Sequence, residues 1–156
     1  MPPIKRLLTH IATIGPVGRI PFAPGTFGSL VCLLLLGLLQ PSPAAHSAII
    51  AVSLLIGIPS AAAAEAFLGE KDSGRIVIDE FAGYAVATLG LPLSAPVLSA
   101  SFLSFRGFDI YKPLGIRRME RLFHGGAGVM ADDILAGVYA NLSVRIGVMI
   151  LQNLQG

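Results

Sequence analysis

Five of the nine acidic residues lie at the borders of apolar segments, where a carboxylate is costly unless a cation meets it. They are Asp79, Glu80, Asp109, Asp132 and Asp133. Asp79 and Asp133 are each followed four residues later by a glycine, Gly83 and Gly137. Small residues one turn away would let two helices approach closely and bring these acids together. Clustered carboxylates repel one another unless they are protonated or bind cations, and oxygen ligands suit Mg²⁺, so the pattern predicts a Mg²⁺ site.

Two cations flank one of these acids. In a helix, Arg106, Asp109 and Lys112 would fall close to one stripe. The carboxylate could then bind a metal while the cations hold the oxygens of a phosphate. The alternative interpretation is an ion-pair ladder on the surface, which contributes little to stability.

A turn rich in proline and glycine at residues 21–29 precedes the first long apolar segment. Thr26 or Ser29 could cap the helix that follows, and the glycines, including Gly25, leave backbone N–H groups that suit a phosphate. The alternative is an ordinary capped entry into a membrane helix.

A second glycine-rich loop begins with His124, Gly125 and Gly126. We expect it to lead into a helix that starts at Asp132 and Asp133 and then becomes apolar. His124 could act as a proton donor or bind phosphate, and the alternative is a hydrogen-bonding loop histidine.

The composition restricts the class of protein. Of 156 residues, 54% are hydrophobic and only 13% charged, and the mean hydropathy is +0.76. This length suits one domain, 1–156, and so apolar a composition favours an integral membrane protein over a soluble globule. Disorder, a coiled coil and a nucleic-acid binder are disfavoured. The single cysteine, Cys32, excludes an intrachain disulfide and a thiolate metal cage.

The apolar segments must position these groups. They are Leu30–Leu39, Ala44–Ala64, Phe81–Phe105 and Ile134–Leu154. The first two, separated by a Pro-Ser-Pro break, predict a helical hairpin. Pro92 and Pro96 divide the third, which is either a hairpin that dips part-way into the bilayer or one kinked span. Arg145, in the last segment, needs a partner or must reach the interface.

The basic residues indicate the orientation. Lys5, Arg6 and Arg19, together with the basic stretch 106–121, should lie on the cytoplasmic side. We therefore predict an all-α fold, a small multi-helix integral membrane protein whose helical hairpins surround a carboxylate-rich site at the cytoplasmic interface.

Taken in order, these motifs resemble one family. They are Pro24-Gly25-Thr26 with Gly28-Ser29, Asp79-Glu80-Phe81 with Gly83, Arg106 with Asp109 and Lys112-Pro113, and His124-Gly125-Gly126 with Asp132-Asp133 and Gly137. Their order and spacing are similar to those of bacterial phosphatidylglycerophosphatase A. The resemblance implies a mostly helical, Mg²⁺-dependent hydrolase of the bacterial inner membrane, with several spans and a cytoplasm-facing site. Its substrate would be phosphatidylglycerophosphate, and its products phosphatidylglycerol and phosphate.

The hypothesis assigns each motif a role. The metal ligands would be Asp79, Glu80, Asp109, Asp132 and Asp133. The substrate would be held by Gly25, Thr26, Ser29, Arg106, Lys112, Gly125 and Gly126. The catalytic groups would be Asp132, Asp133, His124 and Lys112.

Two other functions stay open from the sequence. A membrane phosphotransferase of the CDP-alcohol type would also use clustered aspartates and Mg²⁺. A membrane ion carrier or scaffold would instead line a path with its acids and Arg145, which should then lie at different depths.

Overall fold

The computed structural model describes residues 3–113 and 115–155, apart from the side chains of 119–121 and 155. Within these residues every regular element is helical, which confirms the all-α prediction. In chain order the elements are α1 (Pro3–Ala12), a 3-10 turn (Val17–Arg19), α2 (Pro24–Leu39), α3 (Pro43–Leu68), α4 (Ile78–Ala87), α5 (Ala95–Tyr111), α6 (Ile116–Leu122) and α7 (Gly126–Gln155).

Three of the predicted apolar segments lie inside α2, α3 and α7. The latter two contain 26 and 30 residues and are long and apolar enough to cross a membrane. Large apolar side chains on both remain exposed, among them Leu55 on α3 and Ile146 on α7. Only residues 40–42 separate α2 from α3, so the predicted break between the first two segments is present. The two helices pack mainly on other helices, α2 on α4 and α3 on α1 and α7, and not on each other as in a closed hairpin.

The segment Phe81–Phe105 forms parts of two separate helices, not one kinked helix. α4 ends at Ala87 and α5 begins at Ala95. With ten residues, α4 is about 15 Å long, roughly half the thickness of the hydrocarbon core of a bilayer. The hairpin interpretation of this segment is therefore the one that the structure supports.

Two polar residues of α7 donate hydrogen bonds to the backbone carbonyls at the C-terminal end of α4. The Asn141 side-chain amide donates to the carbonyl oxygens of Val86, Ala87 and Leu89 at 3.3, 3.1 and 2.9 Å. The Arg145 guanidinium donates to the Leu89 carbonyl at 3.0 Å. Arg145 thus has the partner that the sequence required, and a cation lies near the negative end of the helix dipole.

The two glycines that follow the acids lie at the contact between α4 and α7. A Cβ atom on Gly83 would lie 2.7 Å from the carbonyl oxygen of Asp133, and one on Gly137 would clash with the carbonyl oxygen of Gly83. The predicted close approach is confirmed, and the two helices run side by side in the same direction.

The remaining helices pack around this pair. A Cβ on Gly28 of α2 would lie 2.8 Å from the carbonyl oxygen of Val77, just before α4, and Phe105 of α5 packs beside Gly83. α3 packs on α7 and runs in the opposite direction. α1 packs on α3, and its Ala12 is part of the same hydrophobic core. The starts of α2, α4 and α7 and the end of α5 therefore meet at one end of the bundle.

Gly137→Ala should destabilise the protein by about 1–3 kcal/mol, because the added methyl group must push the backbone of α4 away from α7. Thermal unfolding in detergent measures the change. Gly147→Ala is the matched control, since a Cβ there meets nothing within 4 Å on the same helix. Equal unfolding temperatures for the two variants would contradict the close contact.

Candidate active site

Three acids form the centre of the site, of which Asp79 and Asp133 are buried and Glu80 is half-buried. Asp79, Glu80 and Asp133 each offer a carboxylate oxygen, and these oxygens all lie within 4.8 Å of one another. Asp79 is 6% exposed and Asp133 4%. The first two acids lie in the first turn of α4, and Asp133 lies about two turns into α7. The glycine contact between the helices is what allows the three side chains to converge.

The other two predicted metal ligands adjoin this cluster. The Asp109 carboxyl lies close to that of Asp133, and Asp132 forms an ion pair with Lys112. Arg106 Nη1 lies 2.6 Å from Asp109 Oδ2. The structure thus brings together all five acids and both cations that the sequence singled out, and we call this group the carboxylate cluster.

Burial and crowding change the proton affinity of the two acids on α4. Burial raises the pKa of Asp79 well above its ordinary value, and the neighbouring Glu80 charge raises it further. Burial also raises the pKa of Glu80, although its hydrogen bond with Asp79 and the charge of Arg106 act in the opposite direction. A bound cation would relieve both the burial and the repulsion.

Several polar atoms of the cluster are buried without a hydrogen-bond partner among the residues that the structure describes. They are Glu80 Oε2, Asp133 Oδ2 and Arg106 Nε. Unpartnered buried polar groups are rare in proteins and point to an additional ligand. Two carboxylate oxygens and one guanidinium N–H fit a hard cation beside an anionic group.

Lys112 is the C-cap residue of α5, with a left-handed φ of 45°. Burial alone would lower the pKa of its ammonium group, but the hydrogen bond and charge of Asp132, with the charge of Asp133, raise it above its ordinary value. The side chain therefore stays protonated and supplies a fixed positive charge beside the acids.

The start of α2 differs from the prediction. The helix begins at Pro24, with Ala23 as the N-cap residue in a left-handed conformation (φ 46°) and no side-chain capping bond. The prediction that Thr26 or Ser29 caps this helix is wrong, because both lie inside it. The Ser29 hydroxyl donates to the Gly25 carbonyl at 3.0 Å, and the Thr26 N–H donates to the Ala23 carbonyl at 3.0 Å.

Gly25 has a direct steric role at the site. A Cβ atom on this residue would clash with Oε1 of Glu80. The absence of a side chain at Gly25 therefore makes room for one of the three central carboxylates.

The glycine loop before α7 is shorter than predicted. The helix begins at Gly126, six residues before Asp132, so the two acids lie within the helix and not at its start. His124 is exposed, and Gly125 has a left-handed φ of 61°. A Cβ on Gly126 would clash with the Ile58 carbonyl oxygen, so the packing of α7 on α3 by itself requires glycine there.

Sequence reasoning missed a groove beside the start of α2. It has a volume of about 590 Å³ and is lined by residues that include Arg19, Pro24, Glu70 and Arg75. Its walls come from two chain segments, residues 18–24 and 70–75. They meet because Gly18 packs directly on the Arg75 carbonyl, where a Cβ would clash. More than fifty residues separate the segments, and no spacing pattern in the sequence links them.

Comparison with known proteins gives a consistent family assignment. Residues 10–148 match the family described as Phosphatidylglycerophosphatase A. A Bacteroides thetaiotaomicron protein that carries the provisional name phosphatidylinositol-3-phosphatase is 40% identical over 138 residues, covering 83% of this chain and 86% of the relative.

Two further relatives are named phosphatidylglycerophosphatase A. The Escherichia coli K12 protein is 36% identical, in a match that covers 83% of this chain and 77% of the relative. The Haemophilus influenzae protein is 37% identical, in a match that covers 86% of this chain and 85% of the relative. No solved structure matches the chain. With matches over most of its length, the chain belongs to the phosphatidylglycerophosphatase A family.

Proposed function

We propose that this protein is a Mg²⁺-dependent membrane phosphatase that hydrolyses phosphatidylglycerophosphate to phosphatidylglycerol and phosphate. Family membership and the names of two relatives support the reaction and the substrate. The observation that carries the proposal is the convergence of five acids and two cations at one end of the bundle. Such a group can hold both a cation and a phosphomonoester.

The ion would be held by Asp79, Glu80 and Asp133, with Asp109 and Asp132 beside them. Their oxygen donors and the two unpartnered buried oxygens favour a hard divalent cation. Mg²⁺ bound there would polarise the phosphoryl group and make a water molecule more acidic.

The chain's own cations would bind the phosphate. Arg106 uses Nη1 for Asp109 and keeps its buried Nε for a phosphate oxygen. Lys112 is held in place by Asp132 and neutralises a second oxygen. Backbone N–H groups of Gly125 and Gly126 remain candidates for substrate contacts at the start of α7.

Hydrolysis also needs a proton for the leaving alcohol. His124 is exposed beside the start of α7 and could supply that proton to the glycerol oxygen. At the start of α2, Gly25 would contribute its backbone N–H and Thr26 its hydroxyl, because the Thr26 N–H already donates to the Ala23 carbonyl. Ser29 is buried and its hydroxyl donates to the Gly25 carbonyl, so it would act by holding that turn in place.

The protein would span the bacterial inner membrane several times, with the carboxylate cluster facing the cytoplasm. Two long apolar helices with exposed apolar side chains support membrane insertion. Arg19, Arg106 and Lys112 belong to the cluster's end of the bundle, which agrees with the tendency of basic residues to stay on the cytoplasmic side.

The geometry disfavours an ion carrier. That function requires acids at different depths along a path, whereas the three central acids lie within 4.8 Å of one another. A phosphotransferase could use the same cluster, but the family match supports hydrolysis.

A second candidate substrate is phosphatidylinositol 3-phosphate, because one relative carries the name of that phosphatase at 40% identity. Both lipids present a phosphomonoester next to a phosphodiester, so the same cluster could act on either.

Asp133→Asn should lower Mg²⁺-dependent turnover by about a hundredfold or more, because it removes a carboxylate from the centre of the cluster. Phosphate release from phosphatidylglycerophosphate measures this. The unfolding temperature in EDTA should not fall, since the substitution also removes like-charge repulsion.

Glu65→Gln is the matched control for that substitution. It makes the same chemical change at the end of α3, and its amide oxygen can still accept the Asp72 N–H. Wild-type rates in Asp133→Asn would defeat the metal assignment.

Lys112→Ala should lower kcat/KM by about ten- to a hundredfold, because one phosphate oxygen loses its cation and Asp132 loses its partner. Lys71→Ala, at an exposed position, is the control. An unchanged kcat/KM in Lys112→Ala would remove this residue from the site.

A further inference from the structure

A second groove, of about 730 Å³, lies between α1, the 3-10 turn and the end of α3. Four of its lining residues have basic side chains: Arg6, His10, Arg19 and Arg75. They come from three separate parts of the chain, which the fold brings to one surface. We call it the basic groove.

The basic groove contains no carboxylate among its lining residues. The ion pairs Arg106–Asp109 and Lys112–Asp132 belong to the carboxylate cluster. Glu70 lines only the adjoining 590 Å³ groove, where its carboxylate accepts the Ser73 hydroxyl at 2.9 Å. The positive charge of the basic groove is thus not neutralised by an acid in its own wall.

Apolar side chains form the other part of the wall. Leu7 is 55% exposed and Phe67 54% exposed, and both line the basic groove. α1 also exposes Ile4 beside the basic residues Lys5 and Arg6. A helix that combines exposed apolar and basic residues is typical of segments that lie in the membrane interface.

We propose that the basic groove binds the head-group phosphodiester of an anionic glycerophospholipid. The Arg19 and Arg75 guanidinium groups match the phosphate oxygens in charge and in hydrogen-bonding geometry. The start of an acyl chain lies against Leu7 and Phe67. A free inorganic anion would leave these apolar side chains without a partner.

This lipid site is distinct from the carboxylate cluster but lies near it. The basic groove shares Arg19 and Arg75 with the adjoining groove, which reaches Pro24. The next residue, Gly25, packs against the Glu80 carboxylate. A lipid in the basic groove therefore holds α1 and the start of α2 at an anionic membrane surface, close to the carboxylate cluster.

The test is a calorimetric titration of the detergent-purified full chain in EDTA with dioctanoyl phosphatidylglycerol. Dioctanoyl phosphatidylcholine and inorganic phosphate are titrated in parallel. The double variant Arg19→Gln, Arg75→Gln should raise the Kd for phosphatidylglycerol by about tenfold or more, since two charge-assisted contacts are lost.

The matched control is Arg117→Gln, Arg118→Gln, which removes the same charge from exposed positions on α6. Its Kd should stay within about twofold of the wild-type value, because long-range charge effects are screened by salt. If circular dichroism shows that the groove double variant is unfolded, Arg6→Gln on the exposed face of α1 replaces it and should also weaken binding.

Three results would overturn the proposal: an equal loss in the α6 variant, equal affinity for phosphatidylcholine, or inorganic phosphate that binds as tightly as the lipid. Asp133→Asn should bind phosphatidylglycerol with an unchanged Kd, because its substitution lies in the carboxylate cluster. This separates a failure of the lipid site from a failure of the proposed phosphatase activity.

Discussion

The close contact of α4 with α7 at Gly83 and Gly137 determines how the rest of the site is built. Because no side chain separates the two backbones there, acids one turn away on each helix are forced into the same small volume. Their burial raises the cost of ionisation, and their proximity adds repulsion. An arrangement of this kind is poorly stable by itself and strongly favours a bound cation. The buried, mutually repelling carboxylates thus lie where the proposed chemistry requires a metal ion.

The C-terminal end of the short helix α4 is a second constraint, because its last carbonyl groups lie beside an apolar helix and need hydrogen-bond donors. Asn141 and Arg145 of α7 satisfy them, and on the other side the His46 ring lies 2.9 Å from the Ala85 carbonyl. Backbone polar groups at membrane depth are tolerated only when the protein itself provides partners. Asn141, Arg145 and His46 therefore stabilise the C-terminal end of α4, whereas the acids at its other end form the carboxylate cluster.

Much of this could be predicted from the sequence, because it depends on local spacing. The Asp-to-Gly spacing around Gly83 and Gly137 predicted both the helix contact and the cluster, and hydropathy predicted the apolar helices α2 and α3 with the break between them. The helix starts could not be predicted. Ala23 adopts a left-handed conformation that alanine rarely takes, and α7 extends back to Gly126 by packing on α3. The basic groove was also missed, because Arg19 and Arg75 meet only through the tertiary structure.

Phosphate release by detergent-purified protein, measured with Mg²⁺ and with EDTA, tests the proposed phosphatase activity of the carboxylate cluster directly. Phosphatidylglycerophosphate, phosphatidylinositol 3-phosphate and phosphatidic acid should be compared as substrates under identical conditions. We expect release that requires Mg²⁺ and is fastest with phosphatidylglycerophosphate. Release that is unaffected by EDTA, or none from a folded, Mg²⁺-loaded sample, would contradict it.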